Sequence, residues 1–324
     1  MFLDCIGMQV IMHDGRLYIS MEKYALEVCA LMESLGMELG RKASTPIDRE
    51  IDLNTEELDF KQRRSFMIGN GCLGWLVNTI RIDLSYAHSR IGQHSAHPTV
   101  SAWNALQHSF RYLKDHADLA LSIPLNEIDI HVSQIFDMDG QLHEDPDYGW
   151  TFYCDSDYAG NKEVQNKRRS QNGAIALLNG APCWWLCKVT SIAFAHPDIK
   201  EAHADMSSGA SEIYCAANAV NGTLAVSYVA EEIGLSFPKP IAMQMDNTTA
   251  IAFCKNSVYK SALKHIDCRQ EWVQMLRSKN IVTPVYVNTD YNLADILTKI
   301  LSPLRFIALR NKLMTKGPRR NKSK

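Results

Sequence analysis

Residues 124–149 divide this chain. The stretch sets Pro124, Gly140, Pro146 and Gly149 among many Asp and Glu, and from Asp137 to Tyr148 its apolar residues follow neither a helical nor a strand period. A segment of that kind contributes little to a core, so the 324 residues are expected to fold as two bodies, one on either side of it. The two sides differ in charge. Residues 1–150 hold 12 Lys and Arg against 22 Asp and Glu, whereas residues 151–324 hold 22 against 14. A basic second side points to a polyanionic partner. With 46% hydrophobic and 22% charged residues the chain is ordinary globular material, which excludes a disordered tail, a collagen-like fibre and a disulfide miniprotein. No run approaches the ~18 consecutive apolar residues of a membrane span, and the opening residues lack the pattern of a secretory signal. The nine cysteines form no CxxC pair and read as reduced, mostly buried thiols rather than as a zinc site.

The first side opens with a strand from Phe2 to Met12, an Asp14-Gly15 turn and a returning strand from Arg16 to Ser20. Helical spacing follows over Glu22–Leu35, Arg63–Asn78, Leu84–Gln93 and Val100–Asp115, and Leu119–Ile123 reads as a short strand. On the second side, strands are expected at Trp150–Asp155, Ala174–Leu178 and Pro182–Cys187. A long helix then runs from about Ala210 to Glu232. A strand at Ile241–Met245, helices at Thr248–Lys255 and Lys264–Lys279, a strand at Val282–Val287 and a short helix at Leu293–Ile300 complete the order. That order describes an α/β sheet of mixed direction. The expected division is 1–123, an acidic linker over 124–149, a second domain over 150–301, and a basic C-terminal tail over 302–324, of which the last ten residues read as solvated.

Four acids of the second domain stand where α/β sheets collect functional groups, at strand ends and the helix starts that follow them. Asp155 ends the first strand, Glu212 lies early in the long helix, Asp246 sits between a strand and a helix, and Asp295 lies in the last helix. Taken singly, each has a structural explanation. Asp246 suits a helix N-cap, Glu212 a first-turn acid facing the helix dipole, Asp155 a turn, and Asp295 a surface. Taken together, converging carboxylates need divalent cations to offset their repulsion, and oxygen-only ligands suit Mg²⁺ or Mn²⁺. The chemistry natural to such a cluster is two-metal hydrolysis of a phosphodiester.

The second half resembles the ribonuclease H domain of copia-type (pseudoviral) retrotransposon polyproteins. The resemblance rests on Asp155-Ser156-Asp157-Tyr158-Ala159-Gly160, Arg168-Arg169-Ser170 before Gly173, Trp184-Trp185, Ser207-Ser208 through Glu212, and Asp246-Asn247 with Ala250-Ile251. Lys264-His265-Ile266-Asp267 and Leu293-Ala294-Asp295-Ile296-Leu297-Thr298-Lys299 complete it. Upstream, Ser44-Thr45-Pro46, Arg81-Ile82-Asp83-Leu84-Ser85-Tyr86-Ala87 and Arg111-Tyr112-Leu113-Lys114 resemble the end of that family's reverse transcriptase, after its polymerase active site.

The resemblance implies a ribonuclease H-like mixed sheet with flanking helices, preceded by a smaller α+β region like a reverse-transcriptase thumb or connection. It implies that Asp155, Glu212, Asp246 and Asp295 are both catalytic and metal-binding, holding two Mg²⁺ ions, with Mn²⁺ as an alternative, against the RNA strand of an RNA–DNA hybrid. Asp157 is the alternative to Asp155 should the register differ by two. Arg168, Arg169, Asn247 and His265 become candidates for nucleic-acid contact, and Trp184 and Trp185 read as core. Two departures stand out. The family's Ser-Ser-Thr-Glu-Ala-Glu reads Ser207-Ser208-Gly209-Ala210-Ser211-Glu212 here, and Ile82 replaces a usual proline.

The expected partners are therefore an RNA–DNA hybrid and an upstream reverse-transcriptase core, with no membrane and no small-molecule cofactor. The expected location is a cytoplasmic particle or the nucleus, and polymerase activity is not expected. The alternatives are an inert remnant that only binds nucleic acid, and a DNA-strand-transfer enzyme with an acidic metal triad.

Overall fold

The computed structural model describes residues 2–52, 55–125, 150–158, 169–190, 208–234, 239–255 and 264–318. The chain forms two units, residues 1–126 with 300–324, and residues 127–299.

The first unit is α+β. Strands β1 (Phe2–Cys5), β2 (Met8–His13), β3 (Arg16–Ser20) and β4 (Leu119–Pro124) pair antiparallel in that order, and β4 pairs on its other side with β10 (Thr315–Lys316). The single strand expected over Phe2–Met12 is two strands. Ile6 and Gly7 take φ values of 54° and 78°, the left-handed pair of a type I′ hairpin turn, so the chain reverses there as it does again at Asp14-Gly15. Only Gly7 announces that turn, because isoleucine rarely adopts such a conformation.

Four helices lie between β3 and β4: α1 (Glu22–Ser34), α2 (Phe60–Thr79), α3 (Ser85–Gly92) and α4 (Val100–Asp115). Helix α2 starts earlier than its apolar spacing indicates because Asp59 and Gln62 form a reciprocal capping box. Phe66, Leu73, Leu76, Leu106 and Phe110 are wholly buried in this unit.

The Arg81-Ile82-Asp83 string is buried too. Arg81 grips Asp83 through two hydrogen bonds of 2.9 and 2.8 Å, and Tyr112 donates to the same carboxylate at 2.8 Å. Arg310 reaches the Tyr112 hydroxyl at 3.4 Å. Arg310 belongs to α8 (Pro303–Leu313), whose Phe306, Leu309 and Leu313 are buried. The tail expected over 302–324 is thus folded across 303–316. Pro303 at the first helical position and apolar residues three and four apart form the helix, a pattern masked in the sequence by the basic residues that follow. Residues 319–324 lie outside the described residues.

In the second unit the sheet order is β7-β6-β5-β8-β9. Strands β5 (Trp150–Asp157), β6 (Gln171–Leu178) and β7 (Ala181–Val189) form the expected antiparallel meander, joined at Asn179-Gly180. Helix α5 (Ser208–Glu232) then crosses over, so β8 (Ile241–Met245) lies parallel to β5. Helices α6 (Thr248–Lys255) and α7 (Lys264–Ser278) lead to β9 (Val282–Tyr286), parallel to β8. This is the mixed sheet with flanking helices that the sequence implies. Its core joins Phe152, Cys154 and Met243 of the sheet to Cys215, Ala219 and Val220 of α5, with Trp184 packed against it. The closing short helix is a 3-10 segment, Leu293–Leu297. Among the described residues the cysteines are free, and no helix is long and apolar enough to cross a membrane.

Candidate active site

Parallel strands β5 and β8 both end at the same edge of their sheet, and each delivers an aspartate there. Asp155 lies near the end of β5, and Asp246 immediately follows β8. The 3-10 segment packs against β5 and β6 and brings Asp295. One carboxylate oxygen from each of Asp155, Asp246 and Asp295 lies within 4.8 Å of the others. Asp157, two residues on, is not in this group. The approach of the 3-10 segment depends on Gly173. A Cβ there would lie 2.7 Å from Thr298 and 2.8 Å from Leu297, so any side chain would push the segment off the sheet.

Several side chains hold the three carboxylates in place. Asn292 is fully buried and works in two directions: its amide donates to the Cys154 carbonyl of β5 at 3.2 Å, and its Oδ1 accepts from Ala294 N at 3.1 Å. It thereby caps the 3-10 segment and ties that segment to the strand carrying Asp155. Thr298, at the other end, donates its hydroxyl to Asp155 Oδ2. Thr289 donates to Asp246 Oδ2 at 2.9 Å. The N-cap role open to Asp246 falls to Asn247, whose Oδ1 accepts from Ala250 N at 3.0 Å at the start of α6, leaving the aspartate to the cluster.

Helix α5 begins at Ser208, so Glu212 lies in its second turn rather than its first. It is buried, and its Oε2 has no hydrogen-bond partner among the described residues. Burial pushes its pKa well above the ordinary carboxylate value. Neighbouring Asp155, Cys215 and Asp246 add to this, and a hydrogen bond at the Ser156 backbone opposes it.

Without compensation the cluster repels itself. At 4.8 Å each carboxylate pair costs roughly 3 kcal/mol for an effective dielectric of about 20. Lys299 offsets part of this, its Nζ lying 2.8 Å from Asp295 and 3.4 Å from Asp155. Burial works against the Lys299 charge, but Asp155, Asp295 and Asp246 outweigh it and raise the pKa.

A second polar feature opens on the α5 face. A cavity of about 90 Å³ is lined by Asn172, Lys188, Thr190, Tyr214, Asn218 and Arg269, without a carboxylate. The Arg269 guanidinium stacks on the Tyr214 ring at 3.7 Å, which fixes its plane. Ser156, Asn172 and Lys188 face one another across β5, β6 and β7, so the cavity lies along a row that starts next to Asp155.

The structure thus brings Asp155, Asp246 and Asp295 together; Glu212 is buried but is not in that group, and Asp155 and Asp246 are among the groups that raise its pKa. Asn247 donates to Ser208 Oγ at 3.4 Å besides capping α6. Arg169 is half-buried, its Nε without a hydrogen-bond partner among the described residues. His265 lies in the first turn of α7, and its side chain is outside the described residues, as is Arg168 altogether. The single-sequence reading missed Asn292, Thr298 and Lys299 as partners of the acids. Their signal was their place beside Asp295, in the Asn292-Leu293-Ala294-Asp295-Ile296-Leu297-Thr298-Lys299 string.

No family model matches the chain. Over 295 residues it is 27% identical to the retrovirus-related Pol polyprotein from transposon RE2 of Arabidopsis thaliana, covering 90% of this chain and 17% of that protein. Over 310 residues it is 23% identical to the retrovirus-related Pol polyprotein from transposon TNT 1-94 of Nicotiana tabacum, covering 93% of this chain and 20% of that protein. The chain therefore spans a fifth or less of the length of these relatives. Among solved structures, the N-terminal ribonuclease H domain of a Mycobacterium tuberculosis protein, fused to maltose-binding protein, matches at 12% identity. The match covers 50% of this chain and 96% of that one with a TM-score of 0.29, so the fold reading rests on the strand order above. The chain is homologous, over about nine-tenths of its length, to a segment of the retrovirus-related Pol polyproteins of plant transposons.

Proposed function

We propose that the second unit is a metal-dependent ribonuclease H that hydrolyses the RNA strand of RNA–DNA hybrids, as one part of a retrotransposon polyprotein. The observation that carries this reading is the convergence of Asp155, Asp246 and Asp295 at one edge of the mixed sheet. Glu212, buried on α5, is the fourth acid of the reading. The donor set is all oxygen, which favours Mg²⁺, or Mn²⁺ in its place, over softer metals. The Oε2 of Glu212, without a hydrogen-bond partner among the described residues, fits the same role, since a buried carboxylate oxygen left alone is costly and a cation would satisfy it. Asp155, Glu212, Asp246 and Asp295 would together hold two ions. Ions so held would supply an activated water and offset charge on the leaving oxygen of a phosphodiester.

The rest of the chemistry is positioning by the chain itself. Thr298 and Thr289 orient Asp155 and Asp246, and Asn292 fixes the segment that carries Asp295. The cavity beside Lys188 and Arg269 offers two cations, two amides and two hydroxyls to one backbone phosphate. Strand β7 lies two strand spacings, about 10 Å, from β5. Such a contact would set the register of a bound strand without reading its sequence. Arg168, Arg169 and His265 remain candidates for further contacts, polymerase activity is not assigned to this chain, and the hybrid would be met outside the secretory route.

The experiment is cleavage of a labelled RNA–DNA hybrid in Mg²⁺ or Mn²⁺, with wild type compared to Asp246→Asn. That substitution keeps the shape and removes the charge. Hybrid-dependent cutting that drops on the order of 10³-fold in the variant is the expected result. A folded wild-type protein that cuts nothing would leave only an inert nucleic-acid-binding remnant.

A further inference from the structure

Lys299 lies within ion-pairing distance of two carboxylates of the cluster. Its ammonium bridges Asp295 at 2.8 Å and Asp155 at 3.4 Å, and these aspartate side chains are 0% and 5% exposed. The lysine side chain is 35% exposed, so it reaches the cluster from the solvent side. It follows Asp295 by four residues, directly after Thr298, which itself bonds Asp155. The backbone that delivers Asp295 therefore delivers a cation to the same place. An ammonium on a four-carbon stem is a point charge that can swing away without disturbing the fold, unlike a buried guanidinium fork.

We infer that Lys299 is the resident counter-cation of the cluster, and that a divalent ion entering between Asp155 and Asp295 must displace its ammonium. Lys299 then does two things. It holds the carboxylates together when no ion is bound, and it lowers the affinity of the ion that replaces it. The inference rests on the proposed metal-binding reading of the same carboxylates.

The test uses the full chain and Mn²⁺ titrated by electron paramagnetic resonance, with thermal melts in EDTA and in saturating Mn²⁺. Lys299→Met removes the charge and keeps most of the stem. It is expected to bind Mn²⁺ more tightly by on the order of ten-fold. It should also melt lower than wild type in EDTA, a difference that disappears in saturating Mn²⁺. Lys299→Arg retains the charge and is expected to show no tightening. Lys299→Gln is judged by the same criterion should the Met variant fold poorly. Neutral variants that fold normally and bind Mn²⁺ no tighter than wild type overturn the inference. Asp246→Asn separates the two levels. If wild type binds Mn²⁺ no better than Asp246→Asn, the metal-binding reading falls and the inference with it. If wild type binds, Asp246→Asn does not and Lys299→Met equals wild type, only the inference about Lys299 falls.

Discussion

Each unit buries charge, and the two do it in opposite ways. In the first unit the Asp83 carboxylate is matched: Arg81 takes both of its oxygens and Tyr112 adds a third hydrogen bond. Burial alone would raise the Asp83 pKa, but the Arg81 guanidinium outweighs it and holds the carboxyl below the usual range. In the second unit Asp155, Asp246 and Asp295 crowd together with Lys299 paired to two of them, and burial and neighbouring acids drive the pKa of Glu212 the other way. A matched pair is finished by folding. An unmatched cluster is held at a cost, and structures keep such arrangements where something else completes them.

The largest effect should come from unmatching the first unit. Arg81→Met leaves Asp83 buried with Tyr112 alone and should destabilise by about 3–5 kcal/mol. Urea unfolding followed by circular dichroism measures it. A loss under about 1 kcal/mol would mean that water reaches Asp83 and the pair is not matched by burial at all.

Next in size is the scaffold of the second unit. Asn292→Ala removes both the cap of the 3-10 segment and its tie to β5, and should weaken Mn²⁺ binding by roughly 10–100-fold. Unchanged affinity in a calorimetric titration would show that packing on Gly173 alone positions Asp295.

A smaller effect has the opposite sign. In EDTA, Asp246→Asn should stabilise the protein by about 1 kcal/mol, because it removes repulsion while Asn keeps an acceptor for Thr289. In saturating Mg²⁺ the order should reverse, since the wild type gains binding energy that the variant loses. Melting curves that rank the two proteins alike in both conditions would contradict a metal role for Asp246.

The pH dependence sharpens the same contrast. A carboxyl whose folded pKa is depressed, as at Asp83, adds stability above its unfolded value of 3.8, and that stability is lost as pH falls through the folded value. A carboxyl whose folded pKa is raised, as at Glu212, costs stability as pH climbs from its unfolded value of 4.5 towards the folded one. In metal-free protein Glu212 should therefore contribute a loss of stability as pH rises above about 4.5, and Glu212→Gln should remove that contribution from the slope. Denaturant midpoints measured from pH 4.5 upward in EDTA decide it; equal slopes for the two proteins would show that Glu212 ionises freely in the folded state.

Where periodicity alone forms an element, the sequence shows it. Helix α4 at Val100–Asp115, strand β8 at Ile241–Met245 and helix α6 at Thr248–Lys255 lie where apolar spacing puts them. What escapes is whatever depends on backbone geometry or on a distant partner. The Ile6-Gly7 reversal needs an isoleucine in a conformation its side chain disfavours. Helix α8 looked like a tail because the residues it packs beneath lie some 200 positions upstream, as Arg310 and Tyr112 do. The acids stand at pointed places in the sequence, but only the resemblance joins them as a set, because local pattern does not show convergence. Which neighbour would cap α6, Asp246 or Asn247, was not legible, since both suit the role, and only the parallel pairing of β8 with β5 turns the aspartate toward Asp155.

The pairing of Thr315–Lys316 with β4 makes residues 127–299 an insertion within the first unit's chain path. That has a consequence during synthesis. A ribosome completes β4 long before it reaches α8 and β10, so while the second unit is being made β4 lacks its β10 partner and Tyr112 lacks Arg310. The second unit has all its strands translated by residue 299 and can close first. The first unit therefore reaches its final packing only after the second has been translated, because α8 and β10 follow residue 299.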